Sequence, residues 1–158
     1  MGSPILKLYR KLDALPFGGH VFNLGVGLRA PFFGKINPDI FVLRDSICKV
    51  RMKDRWSIRN HLGTVNAGAM CTLAELTGGL ALDATIPSEL RWIPKGMTVS
   101  YLMKGEGVIE STCEFDSSII QVGDILLPVI LKNSNGEEVF SATIVMYITR
   151  KNVRKTLV

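Results

Sequence analysis

The longest apolar stretch of the chain runs through residues 67–84. Apolar or small side chains occupy almost every position there, and neither a proline nor a strong turn signal interrupts them. A helix that is apolar all round is buried rather than half-solvated, so the pattern predicts one central, fully packed helix. Asn66, a preferred N-cap residue, precedes it, and Thr85-Ile86-Pro87-Ser88 is its predicted end.

Strand patterns flank this helix on both sides. Before it, residues 40–43 form a short apolar run and residues 46–53 alternate apolar with basic side chains. After it, strands are predicted over residues 97–104, 108–116, 125–132 and 139–149, with a turn at Gly105 and Gly107 and a hairpin turn at residues 133–136. Sequential hairpins give an antiparallel sheet, and one long helix buried against it is an α+β arrangement.

The first 38 residues lie outside this pattern. Ser3-Pro4 is a plausible cap and first turn, and the predicted helix over residues 1–15 places one apolar stripe on one side: Ile5, Leu8, Tyr9, Leu12 and Leu15. A short helix packed on the domain is the simpler interpretation, and a basic surface helix resting on anionic membrane is the alternative. Residues 17–38, rich in Gly, Phe and Pro, predict loop or short helix. No cleavable signal peptide is apparent, because charged and apolar residues interleave.

Length and composition bound the organisation. With 158 residues and 47% apolar content, the chain fits a single domain, 1–158. We divide it into an N-terminal helix and loop extension (1–38), a core (39–149) and a basic tail (150–158). No apolar run reaches the roughly 18 residues of a membrane span without interruption by charged or small polar residues, so no integral membrane segment is expected.

The cysteines, histidines and charges narrow the classes of function. Cys48, Cys71 and Cys113 are odd in number and lie in apolar patterns, which predicts reduced core thiols in a cytoplasmic protein. Two histidines make a His-rich metal site implausible, and no metal or separate cofactor is expected. The net charge of +5 comes without any nucleic-acid-binding signature, so an anionic small-molecule substrate explains it better. The basic face of residues 46–53 and the nearby Arg55 is a candidate attractor for phosphates.

The central helix also carries the candidate chemistry. Glu75 stands alone among Leu73, Ala74 and Leu76, and a carboxylate in such an apolar setting is costly unless paired, which makes it a functional candidate. The alternative is a structural carboxylate tied to the backbone or to the Thr72 and Thr77 hydroxyls. At the helix start, the N–H groups of residues 67–69 carry no bulky side chains and could hold an anionic oxygen.

These two features are separated along the helix. At about 1.5 Å rise per residue, Ala67 and Glu75 lie roughly 12 Å apart on the axis, too far for both to touch one reacting carbon. A second, antiparallel copy of the helix would place Glu75 of one chain beside Ala67 of the other. We therefore predict a site that straddles a homodimer.

The residues around the helix start resemble a known family. Asn60, Gly63, Asn66, Ala67 and Gly68, followed by Glu75 on the helix, resemble the hotdog-fold acyl-CoA thioesterases of the phenylacetyl-CoA and 4-hydroxybenzoyl-CoA type, whose pattern is Asn-x-x-Gly-x-x-His-Gly-Gly and then Asp or Glu. Ala30-Pro31, Arg59-Asn60-His61 and Ala67-Gly68-Ala69 are similar to an uncharacterised branch of that superfamily. The likeness spans residues 30–149. The family's His falls on Asn66 here, and its first Gly falls on Ala67.

The resemblance implies a hotdog fold, an antiparallel sheet wrapped around the central helix, and hydrolysis of an acyl-CoA or acyl-carrier thioester. It implies four catalytic positions: Glu75 as base or nucleophile, Asn60 to position the carbonyl or water, and the N–H groups of Ala67 and Gly68 as oxyanion donors. The predicted substrate-binding positions are Asn66, His61, Gly63 and Thr77. Coenzyme A would enter as part of the substrate, and homodimers could pair into tetramers.

Two alternatives stay open at this point. A hotdog domain could bind acyl-CoA or a related lipid without turning it over, as a sensor or carrier, and the change of His to Asn66 favours this. A dehydratase on the same fold would need a His and an acidic partner in one site, and His61 is the nearest His. For Asn66, the side chain either only caps the helix or also reaches substrate.

Overall fold

The computed structural model describes residues 3–151 as four helices and six strands, with single 3-10 turns at Trp56–Ile58 and Ser117–Ile119. The helices are α1 (Pro4–Asp13), α2 (Gly18–Arg29), α3 (Pro31–Gly34) and α4 (Ala67–Thr85). The strands are β1 (Asp39–Arg44), β2 (Ile47–Lys53), β3 (Leu90–Tyr101), β4 (Val108–Glu114), β5 (Gly123–Lys132) and β6 (Glu138–Arg150).

One antiparallel sheet in the order β1-β2-β4-β5-β6-β3 packs against α4. Inward-facing side chains of β1, β2, β4, β5 and β6 form the core with α4, because alternate residues of a strand point to the same face. The sequence-based expectation of an α+β protein with one long helix on an antiparallel sheet is confirmed. The predicted hairpin turn is present too: Gly136 adopts φ +81°, and its N–H donates to the carbonyl of Asn133.

Strand β3 departs from the sequence prediction. It begins at Leu90, not near residue 97, and it pairs with β6 instead of forming a hairpin with β4. Pro94 and Gly96 lie inside the strand, because a strand at the sheet edge tolerates a proline, and the register shifts between these two residues. In contrast to the other five strands, β3 contributes no fully buried side chain.

The N-terminal segment is more helical than predicted. Residues 18–29 form a helix of 12 residues, α2, where the sequence predicted loop or short helix. In α1, Ser3 caps the helix by accepting a hydrogen bond from the Leu6 N–H (3.3 Å). Leu6 and Tyr9 are the buried residues, whereas Leu8 and Leu15 of the predicted stripe are about half exposed, at 51% and 58%. Two helices, α1 and α2, cover each other and leave part of the stripe open.

The C-terminal end of the described chain continues β6. Arg150 is the last residue of that strand, and the Lys151 N–H donates to the carbonyl of Glu89. The rest of the predicted basic tail, residues 152–158, lies outside the described residues. Within residues 3–151, no helix has the length and apolar character needed to cross a membrane.

Candidate functional site

The start of α4 is capped by a side chain. Asn66 Oδ1 accepts a hydrogen bond from the Gly68 N–H (2.7 Å), and the Asn66 carbonyl accepts from the N–H groups of Ala69 and Met70. Among the residues that the structure describes, the Ala67 N–H has no acceptor. The capping role predicted for Asn66 is therefore confirmed. It also means that the Gly68 N–H, a predicted oxyanion donor, is occupied while the Asn66 side chain keeps this rotamer.

The loop before the helix is held together by Asn60. Its Oδ1 accepts from the N–H groups of Leu62 (3.0 Å) and Thr64 (3.2 Å), and its Nδ2 donates to Thr64 Oγ1 (3.1 Å). Gly63, in the middle of this loop, has φ +77°, a conformation that favours glycine. Both residues of the motif thus shape the loop that leads into α4. The second hydrogen of the Asn60 amide stays available to a ligand.

Two of the predicted substrate-binding residues lie in contrasting places. His61 sits in the same loop with an exposed side chain, close in sequence to the helix start. Thr77 is fully buried, and its hydroxyl donates to the Leu73 carbonyl (2.7 Å). The structure does not bring Thr77 to a surface where a substrate could reach it, because the apolar pattern of α4 places that position against the core.

Glu75 lies half-buried on the open side of α4. It lines a cavity of about 280 Å³ together with the bulged part of β3, namely Pro94, Lys95, Gly96 and Met97, and with Ile144. The neighbouring threonines do not hold it, since Thr72 Oγ1 donates to the Gly68 carbonyl (2.8 Å) and Thr77 to that of Leu73. No ion pair of the described residues involves Glu75, and the Lys95 ammonium is instead 2.8 Å from Asp124. The Glu75 carboxylate is therefore available to act on a ligand.

Cys71 is a site residue that the sequence did not reveal. Its side chain is half-buried, whereas Cys48 and Cys113 are fully buried in the core as predicted. Cys71 Sγ lies 3.2 Å from the Tyr101 hydroxyl, and this hydrogen bond raises the pKa of Tyr101. Burial raises the pKa of the Cys113 thiol to about 12, so that thiol stays protonated and unreactive. The spacing of four residues between Ala67, Cys71 and Glu75 was the available signal, because it places them on one helix face.

The face of α4 that carries these three residues adjoins the free edge of the sheet. In the part of the chain that the structure describes, strand β3 has no neighbour on one side, and Tyr101 and Ile93 on it are half or more exposed. A long apolar edge strand is a template for pairing with another chain. Ala67 and Glu75 remain about 12 Å apart along the helix axis within one chain.

Positive charge near the helix start is partly neutralised. Arg59 forms a two-pronged ion pair with Asp54 (2.8 and 3.0 Å), and that hydrogen-bonded pairing lowers the pKa of Asp54. Arg55 donates to the Lys35 carbonyl, and Arg51 stacks on Phe41 and contacts Glu110. Lys53 and Lys104 are exposed and belong to no ion pair among the described residues. These two are the cations best able to meet an anionic ligand.

Comparison with known proteins gives one family and several structures with a similar fold. A family model described as "Domain of unknown function (DUF4442)" matches residues 18–148. The structural-genomics target APC5556 is 33% identical, with a TM-score of 0.82 over 93% of this chain and 99% of that chain. A Pseudomonas aeruginosa protein of unknown function, described as a probable thioesterase, is 24% identical, with a TM-score of 0.76 over 87% and 97%. No curated protein is significantly similar to this sequence.

A third similar structure contains a ligand. It is a hypothetical thioesterase protein with coenzyme A from Streptococcus pneumoniae TIGR4, 23% identical, with a TM-score of 0.63 over 72% of this chain and 90% of that chain. At this identity the likeness concerns the fold. Together with the sheet order and the central helix described above, these matches make the fold a hotdog fold, as the sequence resemblance implied.

Proposed function

Because the chain belongs to the DUF4442 family and has a hotdog fold, we propose that it hydrolyses acyl thioesters of coenzyme A or an acyl carrier. One observation carries the proposal. Among residues 3–151, the half-exposed face of α4 presents an N–H without an acceptor at the helix start and, two turns later, a carboxylate without an ion-pair partner. The coenzyme A in the Streptococcus pneumoniae structure adds support for this class of substrate.

In the proposed reaction, the Ala67 N–H and the helix dipole stabilise the oxygen that becomes negative when the thioester carbonyl is attacked. Glu75 takes a proton from water as the water oxygen bonds to the carbonyl carbon. When the tetrahedral intermediate collapses, the carbon–sulfur bond breaks and the leaving thiolate receives that proton. The Gly68 N–H becomes a second donor if the Asn66 side chain turns away when substrate binds.

The two groups would come from different subunits. The distance of about 12 Å between Ala67 and Glu75 is too long for one chain to supply both. Strand β3, which has an unpaired edge and no fully buried side chain, supports a homodimer in which the α4 helices lie antiparallel. The three free cysteines suit a reducing compartment, which is the basis for proposing the cytoplasm.

The test is a thiol-release assay across short, medium, long and aromatic acyl-CoA substrates. Glu75→Gln removes the base while preserving size, so we expect kcat to fall at least about a hundredfold. Glu89→Gln, an exposed residue just beyond the other end of α4, is the matched control and should keep wild-type activity. A Glu75→Gln protein that folds, dimerises and hydrolyses every substrate at the wild-type rate would exclude the proposed mechanism.

A second function is favoured by one observation. The hydrogen bond from the Gly68 N–H to Asn66 occupies half of the expected oxyanion site, which suits a domain that binds acyl-CoA without hydrolysing it. Titration calorimetry with a long-chain acyl-CoA separates the two, when it is run beside the thiol-release assay. Binding without thiol release for any substrate would establish the sensor or carrier function instead.

A further inference from the structure

A large groove lies at the opposite end of α4 from the proposed catalytic groups. It encloses about 950 Å³ between the N-terminal helices and the segment that joins α4 to β3. Its walls are mainly aliphatic and aromatic, and they include Leu8 and Leu12 of α1, Phe22 and Val26 of α2, and Ile86 and Leu90 beyond α4. This explains why Leu8 of the predicted α1 stripe stays half exposed: its side chain faces the groove. A volume of this size and an apolar lining are typical of sites for small organic ligands.

The charged residues of the groove are mostly positive. Arg29, Arg91 and Lys151 line it, whereas Asp83 is its one acidic residue among the described residues. Asp83 is already engaged, because its carboxylate accepts a hydrogen bond from Trp92 Nε1 (2.6 Å). The Arg29 guanidinium makes no hydrogen bond or ion pair with the described residues, and Lys151 Nζ donates once, to the Ser88 carbonyl (2.7 Å). Burial raises the pKa of Asp83, and the charges of Arg29 and Lys151 oppose that rise. Donors therefore remain for an anionic group at the edge of an apolar space.

Trp92 separates this groove from the cavity beside Glu75. Its indole packs over Gly79, one turn of α4 beyond Glu75, and a Cβ added at Gly79 would lie 2.9 Å from the ring. The small cavity is lined by β3 from Pro94 onward, and the groove by β3 up to Trp92. A ligand in the groove is thus distinct from a thioester at the proposed site.

We propose that this groove binds one long-chain fatty acid. The unbranched chain lies along the apolar wall of α1 and α2, and the carboxylate meets Arg29 and Lys151. The combination of a long apolar space with cations at its edge selects a single-chain amphiphile with an anionic head over a neutral lipid or a cationic one. The proposal goes beyond thioester hydrolysis and holds whether or not Glu75 is catalytic.

Tryptophan fluorescence provides the measurement. The chain has two tryptophans, and Trp56 is 88% exposed, so Trp56→Phe leaves Trp92 as a reporter that lines the groove. Brominated stearate, kept below its micellar concentration, should quench Trp92 in a saturable way, and unbrominated stearate should reverse the quenching. Absence of saturable quenching would overturn the proposal.

Matched glycine variants show where the ligand lies. Both Gly25 and Gly19 are in α2, and a Cβ at either meets no atom within 4 Å, so both positions are open at the Cβ. Only Gly25 lines the groove. In the Trp56→Phe background, Gly25→Phe should weaken stearate binding by at least about tenfold, and Gly19→Phe should leave it unchanged. Equal affinities in the two variants would contradict a ligand in this groove.

The role of the carboxylate is tested separately. In the Trp56→Phe background, Arg29→Gln should weaken the binding of brominated stearate but not the binding of brominated methyl stearate. The Trp56→Phe protein without this change, the parent, should bind the acid more tightly than the ester. Equal affinity for acid and ester in the parent would refute recognition of an anionic head. If the parent shows no quenching and Gly25→Phe instead dissociates a dimer in sedimentation, the groove is covered by a second copy of the chain and the proposal fails.

Discussion

At the scale of single residues, Asn66 joins helix stability to the proposed chemistry. Its Oδ1 holds the Gly68 N–H at 2.7 Å, so the cap stabilises α4 and at the same time occupies a candidate oxyanion donor. We expect Asn66→Ala to lower the free energy of unfolding by about 1 kcal/mol, because the cap is lost. The same change should raise kcat for thioester hydrolysis, since the Gly68 N–H becomes available. Urea denaturation and thiol release measure the two effects.

Asn66→Asp is the matched variant for this prediction. Aspartate caps a helix as well as asparagine does, and its charge is favourable at a helix N-terminus, so stability should be kept or rise slightly. A fixed negative charge beside the oxyanion site should, however, lower kcat at least about tenfold. If both variants changed activity in proportion to their stability, the side chain would act through the fold alone.

Asp83 lowers the stability of the folded protein by an amount that depends on pH. Burial raises the pKa of Asp83 above its ordinary value of 3.8, and the hydrogen bond from Trp92 opposes the shift only in part. The folded state therefore holds the proton more tightly than the unfolded state, so stability falls as pH rises from 3.8 through the folded pKa. We expect Asp83→Asn, whose amide oxygen can still accept from Trp92, to raise the Tm at pH 7.

Measuring the Tm at low pH checks whether the charge of Asp83 causes this difference. Below pH 3.8, Asp83 is protonated in both the folded and the unfolded state, so the Tm difference between Asp83→Asn and the wild type should disappear. A Tm difference that is constant with pH would mean that packing, not charge, explains it.

For single residues, prediction from the sequence was good where neighbouring residues determine the geometry. It was weak where tertiary packing determines it. The predicted cap at Asn66 follows from a short-range rule of side-chain hydrogen bonding. Whether the Gly68 N–H is free depends on one rotamer, which no pattern encodes. The half-buried position of Cys71 depends on where β3 lies, and nothing in its apolar neighbourhood indicates that.

At the scale of elements, α4 has two adjacent glycines that meet different neighbours. A Cβ at Gly78 would lie 2.9 Å from the flexible end of Ile144, whereas one at Gly79 would meet the Trp92 ring at 2.9 and 3.4 Å. The ring is fixed by its hydrogen bond to Asp83 and cannot yield easily. Alanine itself favours a helix over glycine by about 1 kcal/mol. Gly78→Ala should therefore be close to neutral, and Gly79→Ala should destabilise by about 1–3 kcal/mol.

Urea unfolding at one fixed protein concentration measures both variants, and each serves as the other's control. The critical result is which of the two variants has the lower free energy of unfolding. If Gly78→Ala were the more damaging, the indole would not be the rigid neighbour that the packing indicates, and Trp92 would be a poor boundary between the two cavities.

The elements were predictable in proportion to how strongly their patterns repeat. Central helix α4 and strands β4 and β6 carry long runs of the right periodicity, and the structure has them near the expected bounds. Strand β3 starts earlier than predicted because only its edge position makes Pro94 acceptable. For α2 the sequence left loop and short helix open, because its four glycines disfavour a helix, which packing against α1 and β1 overrides.

At the scale of the whole molecule, the proposed site depends on two subunits, and a substitution at the first position of α4 can test this. Ala67→Pro removes the one free N–H of the helix start. Proline is well tolerated at the first helical position, and Asn66, with ψ 139°, already has the conformation that a residue before proline prefers. The variant should therefore fold normally and lose at least about tenfold in kcat.

Mixing this variant with Glu75→Gln distinguishes a shared site from a site within one chain. In a shared site, a dimer with one subunit of each kind has one site with both defects and one intact site. Free exchange of subunits should then restore about a quarter of the wild-type activity, since half of the dimers are mixed and each has one working site of two. With a site inside one chain, every site keeps a defect, and the mixture stays as inactive as its parents. Tagged subunits recovered as mixed dimers without regained activity would exclude the shared site while leaving Glu75 catalytic.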